Sequence, residues 1–177
     1  MGEITRRWPF EGEEHQSFDL TIREPPLTGD SLGLKTWGSS YLLAQMLHKI
    51  GQTSLSHLLS SSGERQNGPF LELGSGTGLL GVAAAAIWQA HVILSDLPVI
   101  MPNLQHNANQ NRQVVESLDG SLDAGALTWG GDETDDEIDS RLFSKKQQFK
   151  VCKMHNSRWK LWLIILLDRS CRGPSIR

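Results

Sequence analysis

Three glycines alternate at Gly74, Gly76 and Gly78 within "LELGSGTGLLG", behind an apolar run and ahead of an alanine-rich one. A residue without Cβ can take positive φ and lets a ligand lie against the main chain. A helix opening there would present free N–H groups to that ligand. A fourth glycine, Gly81, completes G-x-G-x-x-G with Gly76 and Gly78, a spacing that by itself suggests a dinucleotide. Glu72, two residues before Gly74, argues for a different ligand. A carboxylate beside a pyrophosphate is repelled, whereas beside an ammonium or sulfonium it is attracted. Glu72-x-Gly74-x-Gly76-x-Gly78 therefore favours S-adenosylmethionine, with a strand-end carboxylate as the plain alternative.

Two further residues fit a nucleoside. Asp96 stands 22 residues beyond Gly74, at the end of an apolar stretch, where a carboxylate can accept from both ribose hydroxyls. Its alternative is an N-cap for the helix that follows. Trp129, in "LTWGG", would reach the same sheet edge, its ring over the adenine, unless it is a core residue. Trp37 opens a helical stretch and divides between a ligand contact and a core or staple role.

The elements that must position these residues are read from periodicity. "SFDLTI" suggests a strand inside an otherwise irregular or strand-like lead-in, and "EPPLTGD" a turn. From Trp37, Leu43, Met46, Leu47 and Ile50 follow helical spacing. After a polar loop at residues 60–68, "PFLELG" reads as a buried strand and "LLGVAAAAIWQA" as a helix. "HVILSD" is a second strand, and "LPVIMPNLQHNANQN" a helix that tolerates Pro102 only near its first turn. "GALTW", at residues 125–129, reads as a third strand after a Gly/Asp/Ser-rich loop. The six carboxylates between Asp132 and Asp139 read as a solvated loop. Strand, glycine turn, helix, strand, helix, strand predicts a doubly wound α/β fold with a parallel sheet, which binds ligands at the strands' carboxyl ends.

At 177 residues the chain suits one core, arranged as a lead-in and helix over 1–62, an α/β ligand-binding core over 63–151 and an atypical tail over 152–177. A net charge of −3 provides no basic field for nucleic acid. The longest apolar run, "LWLIILL", is too short to cross a bilayer, and no apolar leader opens the chain. Cys152 and Cys171 lack metal-type spacing, so no metal is expected. A cytoplasmic protein is the expectation.

In order and spacing, "LGLKTWGSSYLLAQML", "FLELGSGTGLLGVAAA", "HVILSDLPVIMPNLQHNANQN" and "LTWGG" resemble the small seven-strand protein-lysine methyltransferases. That group includes enzymes that modify chaperones, AAA ATPases and translation elongation factors. The resemblance covers roughly residues 32–131, more faintly to 151, and implies a Rossmann-like sheet and a protein substrate. It implies that Trp37, the Gly74-Ser75-Gly76 backbone, Asp96 and Trp129 contact S-adenosylmethionine. Fungal members labelled nicotinamide N-methyltransferase-like share the pattern. No catalytic residue follows from it.

The family's fourth strand ends in an Asp-x-x-Tyr-type segment. "QQFKV" at residues 147–151 looks like the beginning of that strand, but residues 152–177 carry no such segment. The sheet is therefore expected to be incomplete at the C-terminus, with "LIILL" as a substitute strand or an aggregation-prone patch. Two rival readings stay open at this point: an inactive cofactor-binding or interaction protein, and an NAD-dependent oxidoreductase.

Overall fold

The computed structural model describes residues 2–12, 16–26, 32–59, 69–128, 138–143, 149–151 and 166–168. The polar loop at 60–68, Trp129, the carboxylates from Asp132 to Glu137 and both cysteines lie outside them.

The centre of the fold follows the predicted alternation. Strand β3 (Phe70–Leu73) leads through the glycine turn into helix α4 (Leu79–Trp88). Strand β4 (His91–Asp96) leads into α5 (Met101–Ser117), and strand β5 (Ser121–Ala126) follows. β3, β4 and β5 pair in parallel, Leu71 opposite Ile93 and Ile93 opposite Asp123. Right-handed crossovers in one direction place both helices on one face. There Phe70, Val92, Leu94 and Leu122 pack with α4 and α5 in the main core. Residues Leu79 to Ala86 are all buried, and the alanines let α4 sit close to its neighbours. Pro102 falls in the first turn of α5, where its missing N–H removes no helix bond.

β3 pairs on its other side with β7 (Leu166–Asp168), and β7 with β6 (Phe149–Val151), both antiparallel. The sheet order is β5-β4-β3-β7-β6. One wound half of a Rossmann-like sheet is thus extended, among the described residues, by two short strands, β6 at the end of the 63–151 segment and β7 within the tail. "LIILL" does contribute to a strand. The sheet's second face buries Leu71 and Ile93 against Phe143, with Ile138 and Leu142 beside them.

Three readings need correction. The third strand begins at Ser121 and ends at Ala126, not at residues 125–129, and α5 runs on to Ser117 where a loop was expected. The strand is poor in β-branched residues because another segment lies directly on it: a Cβ on Gly125 would come within 2.7 Å of Leu142 Cδ1. The expected single helix breaks at Met46 into α1 (Gly38–Gln45) and α2 (Leu47–Gln52). Met46, predicted on the apolar face, is 53% exposed at that joint, while Ala44, Leu47 and Ile50 are buried. Beyond it a single turn, α3 (Ser56–Leu59), closes this part of the chain.

The lead-in is more ordered than its composition suggests. β1 (Ile4–Phe10) and β2 (Phe18–Glu24) form an antiparallel hairpin with Trp8 opposite Leu20. β2 buries Leu20, Ile22 and Glu24. Phe10 stacks on Phe18 at 5.0 Å between ring centres. No helix among the described residues is long and apolar enough to cross a membrane.

Candidate functional site

The glycine turn is built from a conformation that side chains resist. Gly74, Gly76 and Gly78 have φ of 68°, 57° and 86°. The turn is locked to the end of β4 by two serines. The Ser75 N–H donates to the Ser95 carbonyl at 2.9 Å, and the Ser95 N–H to Ser75 Oγ at 3.1 Å. The Ser95 hydroxyl donates to the Glu72 carbonyl at 2.7 Å. The Gly78 N–H closes the loop onto the Ser75 carbonyl at 2.8 Å. α4 then starts without a side-chain cap. The N–H groups at the start of that first turn, Leu79 and Leu80, thus donate to no capping side chain and can serve a ligand.

Asp96 ends β4 beside this turn. Its Oδ2 accepts the Gly76 N–H at 2.6 Å and its Oδ1 the N–H of Leu97 at 2.8 Å. It does not cap α5: the N-cap position there is Ile100, with no side-chain bond. The carboxylate instead ties the two strand ends into one rigid rim.

Glu72 lies beneath the turn, 7% exposed, and its Oε2 has no hydrogen-bond partner. Burial pushes its carboxyl up from 4.5 to about 7. The Ser75 hydroxyl offsets part of that rise, the Asp96 charge adds to it, and the Gly81 N–H offsets a little more. None of these gives Oε2 a bond, and a buried polar atom without one is costly. Gly81 is bare for the same reason: a Cβ would overlap Glu72 Oε2 and Leu94 Cδ2.

These residues line one cavity of about 390 Å³, in the range of small-molecule sites. Glu72, Gly74, Ser75, Gly76 and Asp96 come to it from the strand ends, and Trp37 from across the opening. Trp37 is 54% exposed, so it is not a core residue. Its carbonyl accepts the Ser40 hydroxyl at 2.6 Å, within the first turn of α1. Gly78 does not line the cavity but lets the chain pass over Leu104, whose Cδ1 would meet a Cβ at 2.8 Å. Trp129 lies outside the described residues, and β5 ends just before it with the Leu127 N–H on the Asp96 carbonyl at 3.0 Å.

Several contributors carried no sequence signal that was read. Thr36 bonds Thr77 through their hydroxyls at 2.9 Å, and its N–H donates to Glu24 Oε1 at 3.2 Å. This pins the Trp37 arm to the turn. Asn107 donates to the Thr77 carbonyl at 2.9 Å. It belongs to a series at four-residue spacing, Asn103, Asn107 and Asn111, within the segment read only as a helix.

The orphaned carboxylate oxygen, the bare glycine turn and the second carboxylate at the rim suit a ligand with a cationic centre and hydroxyl groups. Comparison with known proteins points the same way. A lysine methyltransferase family model matches residues 14–144. The protein-lysine N-methyltransferase rrg1 of Schizosaccharomyces pombe is 36% identical over 129 residues, 73% of this chain and 39% of that protein. The protein-lysine N-methyltransferase EFM2 of Saccharomyces cerevisiae is 35% identical over 124 residues, 64% of this chain and 28% of that protein. The protein-lysine methyltransferase METTL21E of Bos taurus is 29% identical over 103 residues, 58% of this chain and 31% of that protein. The chain thus spans well under half the length of these relatives.

Proposed function

The chain belongs to the lysine methyltransferase family, and on that premise we propose that its glycine turn binds S-adenosylmethionine for methyl transfer to a lysine of a protein substrate. The observation that carries this is Glu72, a buried carboxylate with an orphaned oxygen beside a positive-φ turn. When ionised, that carboxylate repels a pyrophosphate and attracts a cation, which favours this ligand over a nicotinamide dinucleotide. The turn backbone at Gly74, Ser75 and Gly76 would hold the amino-acid end. Asp96 would hold the ribose hydroxyls, and Trp37 and Trp129 would cover the ligand's exposed sides. Gly78 supports the turn from below.

S-adenosylmethionine, when bound, supplies a methyl group already activated by its sulfonium. Transfer in line to a neutral amine needs no acid, base or metal. The residues of this chain therefore act by alignment and by exclusion of water. Asp96 serves alignment twice, because the carboxylate offered to a ribose also fixes the Gly76 N–H. We place the activity in the cytoplasm, on protein substrates of the kind that the resemblance implies.

Calorimetric titration of the purified chain with S-adenosylmethionine and, separately, NAD tests this reading. Saturable binding of the first alone, lost in Asp96→Ala, is expected. Binding of NAD alone, or of neither, would overturn it.

A further inference from the structure

Two of the three asparagines of α5, Asn107 and Asn111, take the place of a neighbouring strand, while Asn103 accepts from the Arg23 side chain and donates to the Arg23 carbonyl. An edge strand leaves alternate N–H and C=O groups unpaired, and β2 has β1 on only one side. On the other side lies α5. The Thr21 N–H donates to Asn111 Oδ1 at 2.8 Å, and Asn111 Nδ2 donates back to the Thr21 carbonyl at 2.8 Å. The Arg23 N–H donates to Asn107 Oδ1 at 2.9 Å, and Asn107 Nδ2 donates back to the Arg23 carbonyl at 3.0 Å. Each side-chain amide thus replaces a peptide group of a neighbouring strand. The spacings agree: four helical residues rise about 6 Å and two strand residues about 6.7 Å.

Asn107 does one thing that Asn111 does not. Its second amide hydrogen goes to the Thr77 carbonyl, inside the glycine turn, at 2.9 Å. The second hydrogen of Asn111 goes only to the Asn107 carbonyl of its own helix, at 2.7 Å. Asn107 is fully buried and uses one acceptor and two donors. No other side chain of its size offers that set at neutral charge. Thr77 is held from the opposite side by Thr36, whose N–H rests on Glu24 at the end of β2.

We propose that Asn107 is a positioning residue for the ligand-binding turn, transmitting the placement of the N-terminal hairpin to Gly74–Gly78. The hairpin is then part of the binding apparatus, although none of β2 lines the cavity. The consequence for cofactor affinity rests on the proposed function; the effect on the turn does not.

The paired variants Asn107→Ala and Asn111→Ala separate positioning from clamping. Both remove a two-bond clamp on β2, so both should lower the melting temperature by similar amounts. Amide hydrogen exchange at Ser75, Gly76 and Gly78, whose N–H groups are bonded to the Ser95 carbonyl, to Asp96 and to the Ser75 carbonyl, should quicken about tenfold in Asn107→Ala alone, the scale of one lost hydrogen bond. Affinity for S-adenosylhomocysteine should fall about tenfold in the same variant and stay native in Asn111→Ala. Asn107→Asp, which keeps size and the Arg23 N–H bond but loses both amide donations, to the Arg23 and Thr77 carbonyls, should match Asn107→Ala in exchange and is the second variant should the alanine one not fold. Equal exchange at the turn in the Asn107 and Asn111 variants overturns the inference. Absence of binding by the native chain, with exchange still selective for Asn107, overturns the cofactor reading and leaves the inference standing.

Discussion

At the scale of single residues, Glu72 decides both chemistry and cost. Its carboxyl keeps a proton up to about pH 7 when folded, against 4.5 ordinarily. Between those values the folded state binds more protons than the unfolded one, so stability falls as pH rises through the window. Ionising Glu72 in the fold costs about 3 kcal/mol in full. Glu72→Gln should therefore gain more stability over the native chain at pH 8 than at pH 5, by about 2–3 kcal/mol in denaturant titrations. Equal gains at both pH values would show that Glu72 ionises normally. Gly81→Ala tests the same contact from the helix side. Helix propensity favours alanine by roughly 1 kcal/mol. Overlap with Glu72 Oε2 and Leu94, both buried, costs about 1–3 kcal/mol and should win, lowering the melting temperature. That Glu72, Asp96 and the glycines meet at one turn was legible because the strand–glycine turn–helix–strand pattern sets them at neighbouring strand ends. Thr36 and Asn107 were not, because what matters is a partner 41 or 30 residues away.

At the scale of elements, legibility followed the strength of the apolar pattern. β3, α4 and β4 were readable from "PFLELG", the alanine run and "HVILSD". β5 was misplaced because packing against Leu142 selects small residues over β-formers. β1 was read only as part of an irregular or strand-like lead-in, since Arg6, Arg7 and Pro9 break its apolar alternation; Pro9 pairs with Asp19, in alternation with Thr21 and Arg23, whose N–H groups point away from β1. The outward Pro9 carbonyl then accepts from the Tyr41 hydroxyl at 2.8 Å and from Gln45 at 3.1 Å, which joins the hairpin to α1. The asparagine series is the device that a binary reading of α5 misses. Its worth can be measured against an exposed neighbour. Asn111→Ala strands the N–H and C=O of Thr21 and should cost about 1–3 kcal/mol. Gln110→Ala, on the exposed side of the same helix, should stay within about 0.5 kcal/mol. Chemical denaturation of the two variants reads the difference, and similar losses would mean the amide bonds add nothing to stability.

At the scale of the molecule, a parallel sheet is stable only with both faces covered. The first face has two full helices, α4, foreseen from its continuous leucine and alanine run, and α5, foreseen in its first part. The second face was not foreseen. Its described cover comes from residues 138–143, too short for any periodicity to show. One bond sets that segment on the sheet, the Asp139 N–H donating to the Ala126 carbonyl at 3.0 Å, and a second folds it back on itself, the Phe143 N–H donating to the Asp139 carbonyl at 2.9 Å. Asp139 is further held by Arg141 Nε at 2.9 Å, which draws its carboxyl below the usual carboxylate range. Phe143 then covers Leu71 and Ile93, the central residues of β3 and β4 on this face. Leu71 also meets Leu166, so the same contact sits beside the junction with β7. Phe143→Ala should cost about 3–5 kcal/mol, since a buried ring leaves a cavity that six residues of loop can only partly close. The face so uncovered is flat, apolar and next to a short strand pair, which favours association with other chains. Denaturant titration together with light scattering should show lower stability and concentration-dependent association. An unchanged midpoint would mean that Leu71 and Ile93 are buried without Phe143, and that the second face has another cover.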